Sequence, residues 1–411
     1  MAEIHFIIDR FKFFAACCLI GVFSICFWFF AFWAFRMTTK TNSLSAIEIP
    51  LKGPIHAVWD AGLYREDSVG AGIYWVDDDT IVVRANKGPK PTTSEARRSV
   101  VSWLYLWRLG EKPRPYGGDP VAAAQSYCAA RGEISYLQNT IDPVTGATLQ
   151  TRWRGPVGHE REVGPQAASS HLSPSLAGRA PFVPSIERVD CELYFDGSMA
   201  GKHYVADPER RFYIDLGKEP TLARVHAASA EPLVLMRADG SDRIELPVSN
   251  AEASSYAFRM FEDVFYMWAG NLSRSPIDHF EKWKESDCWP IWRVNPHTAK
   301  TERLCVPFGP WSGAVHGGGS TTIDLAPTRV GLFFAANPVS AEEEHGLYLL
   351  RDRSVTQILP GYVRSPVTSP NGCRIALIYF PNREALGPYS TASSSIIVID
   401  VCSPASNISS N

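Results

Sequence analysis

The sequence predicts an all-β body behind one N-terminal transmembrane helix. Three observations carry this reading. Residues 13–35 hold no charge; strand–turn–strand patterns begin after residue 50 and hardly stop before 402; and the later patterns recur near residues 233, 291, 347 and 396, which is 58, 56 and 49 residues apart.

The uncharged run is FFAACCLIGVFSICFWFFAFWAF. At a rise of about 1.5 Å per residue it crosses the roughly 30 Å hydrocarbon layer with a little tilt. A buried core helix of this length would carry polar breaks beyond Ser24. A cleaved signal peptide would end in small residues, whereas this run ends in Phe32, Trp33, Ala34 and Phe35, followed by Arg36. Ile25 stands before Cys26, where a lipoprotein signal needs a small residue. The run therefore reads as an uncleaved signal-anchor over 13–35, with a tail at 1–12 and a linker at 36–49. Arg10 and Lys12 flank one end and Arg36 and Lys40 the other, so the positive-inside rule does not orient it. A short tail before a large C-terminal portion favours a body outside the cytoplasm, on the periplasmic side of a bacterial inner membrane.

Hydrophobic residues make up 45% and charged residues 20% of the 411, a globular rather than a disordered balance. Gly and Pro number 30 each, which suits a fold with many turns. The formal net charge is −3, and the first 40 residues contribute +2, leaving the body near −5. That balance argues against a nucleic-acid partner, which would call for a basic stripe.

The hairpins follow in order. Residues 73–84 read as strand, acidic turn at Asp77, Asp78 and Asp79, and strand; 103–108 alternates and turns at 110–113. Residues 233–248, 291–306 and 347–359 each repeat an apolar strand, a polar turn and a second strand, and 396–401 is the last strand. Extra strands precede most of them, at 256–260, 264–268 and 330–334. Residues 141–181 cluster Pro, Gly, Ser and Ala and read as a long exposed insertion. A short helix is expected over 276–286, capped by Ser275, with Pro276 in its first turn and Phe280 and Trp283 on one face. The body spans 50–403, and 404–411 is expected to be a disordered tail.

The spacing fits four-stranded units with loops. Residues 365–379, Ser-Pro-Val-Thr-Ser-Pro-Asn-Gly-Cys-Arg-Ile-Ala-Leu-Ile-Tyr, resemble the S-P-D-G-x-x-I-A turn of TolB-like and WD40-like β-propeller blades, with Asn371 in place of the usual Asp. Pro370 presets the turn, and Asn371-Gly372 is expected to take the positive φ. The resemblance covers 230–402 and, loosely, 55–118. It implies a β-propeller-like body of about six blades; a β-sandwich or two smaller β-domains would use the same strands. Two short patches, 73–83 and 191–196, resemble segments of membrane-targeted immunity proteins that neutralise type VI secretion lipase effectors. That resemblance implies a periplasmic inhibitor covering an effector's active site.

Individual motifs point to no catalytic, cofactor or metal residues. His316 and the glycines 317–319 resemble a lipase oxyanion loop, but the chain has no G-x-S-x-G elbow. The ten His residues lack H-x-x-x-H spacing and the body Cys residues lack C-x-x-C. Asp77–Asp79 and Glu342–Glu344 read as solvated acids, and the 238–242 turn lacks the terminal Glu of a calcium loop. A propeller's central channel can still gather distant carboxylates, so a hydrolase or lyase is the competing class to a protein-binding module. The two are told apart by whether acidic, His or Arg side chains converge at one place. Trp153 and Trp311, on connecting loops, and Phe280 and Trp283 are the candidate binding residues.

Three cysteines lie in the span, and six, an even set, lie in the body. Either they are buried thiols or they form disulfides, for which Cys288, Cys305, Cys373 and Cys402 are the candidates. Alternation in 373–379 and 396–402 predicts antiparallel pairing with Cys373 facing Cys402, Ile375 facing Asp400 and Tyr379 facing Ile396.

Overall fold

Apolar runs such as 81–83 and 396–399 need cover on both faces, and stacked sheets supply it. The structure is a computed structural model and describes residues 52–402 apart from 54, 65–72, 87–102, 117–120, 129–131, 142–147, 166–202, 206–211, 216–231, 238–241, 250–255, 270, 273–287, 313–320, 339–343 and 382–393. The chain divides into residues 1–48 and a body of 49–411. The expected membrane span, the helix at 276–286 and the tail at 404–411 therefore lie outside the described residues. Among the described residues no helix is long and apolar enough to cross a membrane.

The described strands form six antiparallel sheets in chain order. The body's first strand, β1 (Ala57–Asp60), joins the last sheet. Sheet one is β2 (Ile73–Trp75), β3 (Thr80–Ala85), β4 (Trp103–Arg108) and β5 (Arg114–Tyr116). Sheet two is β6 (Val121–Cys128), β7 (Glu133–Ile141), β8 (Thr148–Pro156) and β9 (Arg161–Pro165). Sheet three is β10 (His203–Val205), β11 (Phe212–Asp215), β12 (Pro232–Arg237) and β13 (Ile244–Ser249). Sheet four is β14 (Tyr256–Phe261), β15 (Val264–Ala269), β17 (Cys288–Val294) and β18 (Thr301–Pro307). The two-residue β16 (Asn271–Leu272) crosses to the inner edge of sheet five, which continues as β19 (Thr321–Thr328), β20 (Gly331–Pro338), β21 (Gly346–Arg351) and β22 (Ser354–Pro360). Sheet six is β23 (Tyr362–Thr368), β24 (Arg374–Phe380), β25 (Ser395–Asp400) and then β1, with Ala57 opposite Asp400 and Asp60 opposite Ile397. Sequential four-stranded sheets, closed by the first strand pairing with the last, are a β-propeller topology. Closure leaves the first and last strands paired rather than as open edges.

Sheet-to-sheet packing explains the apolar runs. In β3, Ile81, Val83 and Ala85 pack toward sheet six, while Val82 packs toward sheet two. In β24, Ala376, Ile378 and Phe380 face sheet one, and Ile375, Leu377 and Tyr379 are buried on the opposite face. Apolar layers lie between sheets one and two, three and four, four and five, and six and one. Sheets five and six are tied by Asn337, whose Nδ2 donates to Val363 O (2.7 Å) and whose Oδ1 accepts from Val363 N (3.1 Å). Trp75 Nε1 donates to Val367 O and Trp268 Nε1 to Ile323 O, so each ring is buried with its polar atom satisfied across a sheet boundary.

Four expectations need correction. Residues 148–156 and 161–165 are strands of sheet two, not an exposed insertion; Gly155 and Pro156 end one strand, and Gly158 turns the chain into the next. The β24–β25 register is one residue away from the expected one: Arg374 faces Asp400, Ile375 faces Ile399 and Tyr379 faces Ser395. Both faces of these strands are apolar, so alternation alone could not choose the register. Cys373 and Cys402 are nevertheless bridged, with Cα atoms 5.1 Å apart; Val401 N donates to Cys373 O and Cys402 N to Asp400 Oδ1 just beyond the ladder. Cys288 and Cys305 form a second disulfide, with Cα atoms 5.3 Å apart. In the 369–372 turn only Gly372 takes a positive φ, of 71°; Gly372 N donates to Ser369 O, which leaves Pro370 and Asn371 as the central pair. Finally, the acids at 77–79 are not merely solvated. Asp78 Oδ1 accepts from Asn371 N (2.7 Å), Asp78 O accepts from Arg374 Nη1, and Arg374 also pairs with Asp79 and Asp400.

Candidate functional site

Four strands lie next to one another across sheet boundaries: β14 beside β19, β19 beside β23, and β23 beside β2. These inner strands surround the axis, so side chains far apart in sequence meet there. On β19, Ile323 and Leu325 pack toward sheet four, and strand alternation sends Asp324 the other way, toward sheet six. There it receives the backbone N–H of Ser365. Arg259, from β14, and Arg364, from β23, act on the same carboxylate. One acid and two guanidinium groups, from sheets four, five and six, thus converge at the axis.

A bulge in β23 shapes this site. The register shifts between Arg364 and Val367, and Ser365 sits at φ 49°. A non-glycine residue there costs about 1–2 kcal/mol, so the rest of the strand must hold it in place. The bulge directs Ser365 N–H to Asp324 and leaves Pro366 O to accept from Arg259 Nη1 at 3.1 Å. Arg364 folds over the Tyr362 ring, 4.9 Å from its centroid, and donates from Nε (3.0 Å) and Nη2 (2.7 Å) to the Tyr362 hydroxyl. Tyr362 and His345 meet edge-on with ring centroids 5.2 Å apart, and His345 Nε2 lies 2.7 Å from Pro338 O.

Burial pushes the Asp324 carboxyl above the usual carboxylate range, against the opposing pull of Arg259, the Ser365 N–H and Arg364. Its Oδ1 is shielded from water and has no hydrogen-bond partner. The residue as a whole, like Arg259 and Arg364, keeps partial solvent access. Among the described residues no three His, Cys, Asp or Glu side chains gather as a metal site.

At one end of the inner strands the turns interlock. Glu262 in the β14–β15 turn pairs with Arg329 in the β19–β20 turn at 2.8 Å, and Arg329 N donates to Gly372 O in the β23–β24 turn. That turn is in turn held by Asp78 and Asp79 of the β2–β3 turn. Phe261 packs against Gly372 closely enough that a Cβ there would lie 2.5 Å from its ring.

Of the candidate residues read from sequence, the two that are described, Trp153 and Trp311, lie in different apolar layers. Trp311 is 3% exposed, in a 3₁₀ turn (Pro310–Ser312), packed against Trp289, Phe308 and Phe334, and so it is a core residue. Trp153 is not on a loop: it lies in β8, half-buried against the layer between sheets one and two, with Nε1 buried and unpartnered. Phe280 and Trp283 lie outside the described residues, as do His316 and its glycines. Sequence reasoning missed Arg259, Asp324 and Arg364. The available signal was a charged residue between apolar ones within a strand, as Asp324 is between Ile323 and Leu325.

Neither a family model nor a curated protein matches the chain. Among solved structures it is similar to Pyrococcus horikoshii acylaminoacyl peptidase, with 10% identity and a TM-score of 0.32, over 78% of this chain and 44% of that one. It is also similar to the β-propeller domain of the Trilobed protease from Pyrococcus furiosus, with 9% identity and a TM-score of 0.31, over 76% and 79% of the two chains. For the tricorn protease the figures are 12% identity and a TM-score of 0.30, over 80% of this chain and 26% of that one. The chain thus spans less than half of the first of these. The fold assignment rests on the strand pairing described above.

Proposed function

We propose that this chain is a membrane-anchored binding protein whose β-propeller body recognises a protein partner in the extracytoplasmic space, with Arg259 and Arg364 at the axis as its recognition groups. The observation that carries this is the convergence of two guanidinium groups and one buried carboxylate from three neighbouring inner strands. Guanidinium groups, planar and permanently charged, suit the recognition of acidic groups. Two disulfides in the body support an oxidising compartment, and the uncharged run at 13–35 supports the anchor. The finer reading, a periplasmic inhibitor of a secreted effector, rests on the resemblance of 73–83 and 191–196 alone.

The competing reading places a hydrolase or lyase at the same residues. It draws on Asp324, since a carboxyl pushed up by burial suits a general acid. The test is capture of partners from the native envelope by tagged full-length chain in detergent, alongside assays on esterase, glycosidase and peptidase substrates. Capture that weakens in both Arg259→Gln and Arg364→Gln is the expected result. Turnover abolished by Asp324→Asn, with no Arg-dependent capture, would replace the binding reading with the enzymatic one.

A further inference from the structure

Ring closure depends on where β25 sits. β1 meets its sheet through β25 alone, in a ladder of four pairs from Ala57 opposite Asp400 to Asp60 opposite Ile397. Whatever displaces β25 therefore displaces the partner of β1. Ile396, Ile397, Val398 and Ile399 are each 0% exposed, so the seam is shut while the strand is in place.

β25 is tied covalently to β24 at both ends of their hairpin. The chain at 381–394 joins them at one end, and the Cys373–Cys402 bond joins them at the other. The β23–β24 turn beside Cys373 has anchors of its own. Asn371 N donates to Asp78 Oδ1, and Gly372 O accepts from Arg329 N. Sheets one and five thus hold the start of β24 whether or not the bond is present. Without the bond, β25 keeps non-covalent ties at this end: Val401 N to Cys373 O at 2.9 Å, Asp400 to Arg374 at 3.3 Å, and the ladder with β1.

The two disulfides differ in access and in consequence. Cys373 and Cys402 both keep partial solvent access, whereas Cys288 is 3% exposed. The Cys288–Cys305 bond joins β17 to β18, which is the edge strand of sheet four. Breaking it loosens an edge; breaking Cys373–Cys402 loosens the strand on which ring closure depends.

We propose that the Cys373–Cys402 bond is a redox clasp on the propeller: a dithiol reductant opens it, and the β25–β1 seam then opens while the other sheets stay paired. A thiolate of the reductant attacks one sulfur and forms a mixed disulfide, and the other cysteine leaves and takes up a proton. The reductant's second thiolate then displaces the first cysteine, which is protonated in turn, and the reductant leaves as a disulfide. Two electrons and two protons thus pass from the dithiol to Cys373 and Cys402.

The test is hydrogen–deuterium exchange of the full-length chain in detergent, oxidised and after dithiothreitol, with alkylation to map the free thiols. Reduction under native conditions is expected to free Cys373 and Cys402. Amides at 57–60 and 396–400 are then expected to lose protection by about tenfold or more beyond any loss at 321–338 in sheet five. Reoxidation with oxidised glutathione is expected to restore it. Cys402→Ser is expected to exchange at the seam like the reduced chain without any reductant, and dithiothreitol is expected to add nothing there.

A bond that resists dithiothreitol until the chain unfolds would overturn the proposal. So would equal loss of protection in every sheet, which assigns the bond to overall stability, and so would unchanged protection at the seam. The oxidised, reduced and reoxidised wild type decides the matter even where Cys402→Ser fails to fold.

Discussion

Asp324 is a carboxyl that the fold makes harder to ionise, and that has a measurable consequence. Its folded-state pKa lies above the ordinary value of about 3.9 because burial outweighs Arg259, the Ser365 N–H and Arg364. The folded state then holds this proton more tightly than the unfolded chain. The group's contribution to stability is fullest below the ordinary value and declines as pH rises through the raised one. Asp324→Asn cannot ionise, so its stability relative to wild type is expected to climb across that window and level off above it. Melting temperatures of the two proteins at a series of pH values check this; a difference that stays constant would contradict it. Gly372 offers a second residue-scale prediction. It combines φ 71° with a Cβ position 2.5 Å from the Phe261 ring. Gly372→Ala meets both strain and overpacking, and a loss of about 1–3 kcal/mol in urea denaturation is expected. Full stability in that variant would mean the turn collar is looser than the structure shows.

At the scale of elements, ring closure is the feature that decides most. β1 completes sheet six, and next to it Arg374 links groups on two strands and a turn: Asp400 on β25, Asp78 and Asp79 in the sheet-one turn, and the Trp59 ring on β1, 5.5 Å away. The Cys373–Cys402 bond staples the same junction. The two cysteines are 29 residues apart, and on a loop-entropy view their bond contributes about 3 kcal/mol. Cys402→Ser is expected to cost that much in chemical denaturation, and peptide mapping of unreduced wild type is expected to recover both linked pairs. Free thiols at 373 and 402 in protein taken from the envelope would remove the bond and its support for an extracytoplasmic body. The tiers of this junction are neighbours, so their losses are not expected to add.

For the whole molecule, the described residues are organised as six antiparallel sheets with apolar layers between them. Far-UV circular dichroism of a chain starting at Thr41 is expected to be strand-dominated, and a helix-dominated spectrum would contradict the fold. The same truncated chain is expected to be soluble, while carbonate extraction leaves the full chain in the membrane pellet. Release of the full chain by carbonate would refute the anchor at 13–35. Both measurements test a property of composition and patterning, so they hold whatever ligand the axis receives.

What the sequence determined by itself was local: strand after strand from β-branched and aromatic runs, turns from Asp, Asn, Gly and Pro, the repeat that groups strands in fours, and the cysteine pair near the C-terminus. Those signals are short-range, written in residues a few positions apart. The β24–β25 register escaped because Ile375–Tyr379 and Ile396–Ile399 are apolar on both faces, and the deciding pair, Arg374 with Asp400, was weaker than the apolar pattern around it. The strands at 148–165 escaped because their Gly, Arg and Thr content hides the period. Only the tertiary structure decided the site. Arg259, Asp324 and Arg364 are separated by 65 and 40 residues and carry no shared motif. They meet because the fold sets β14, β19 and β23 of sheets four, five and six side by side, and because a bulge at Ser365 turns one backbone N–H toward Asp324.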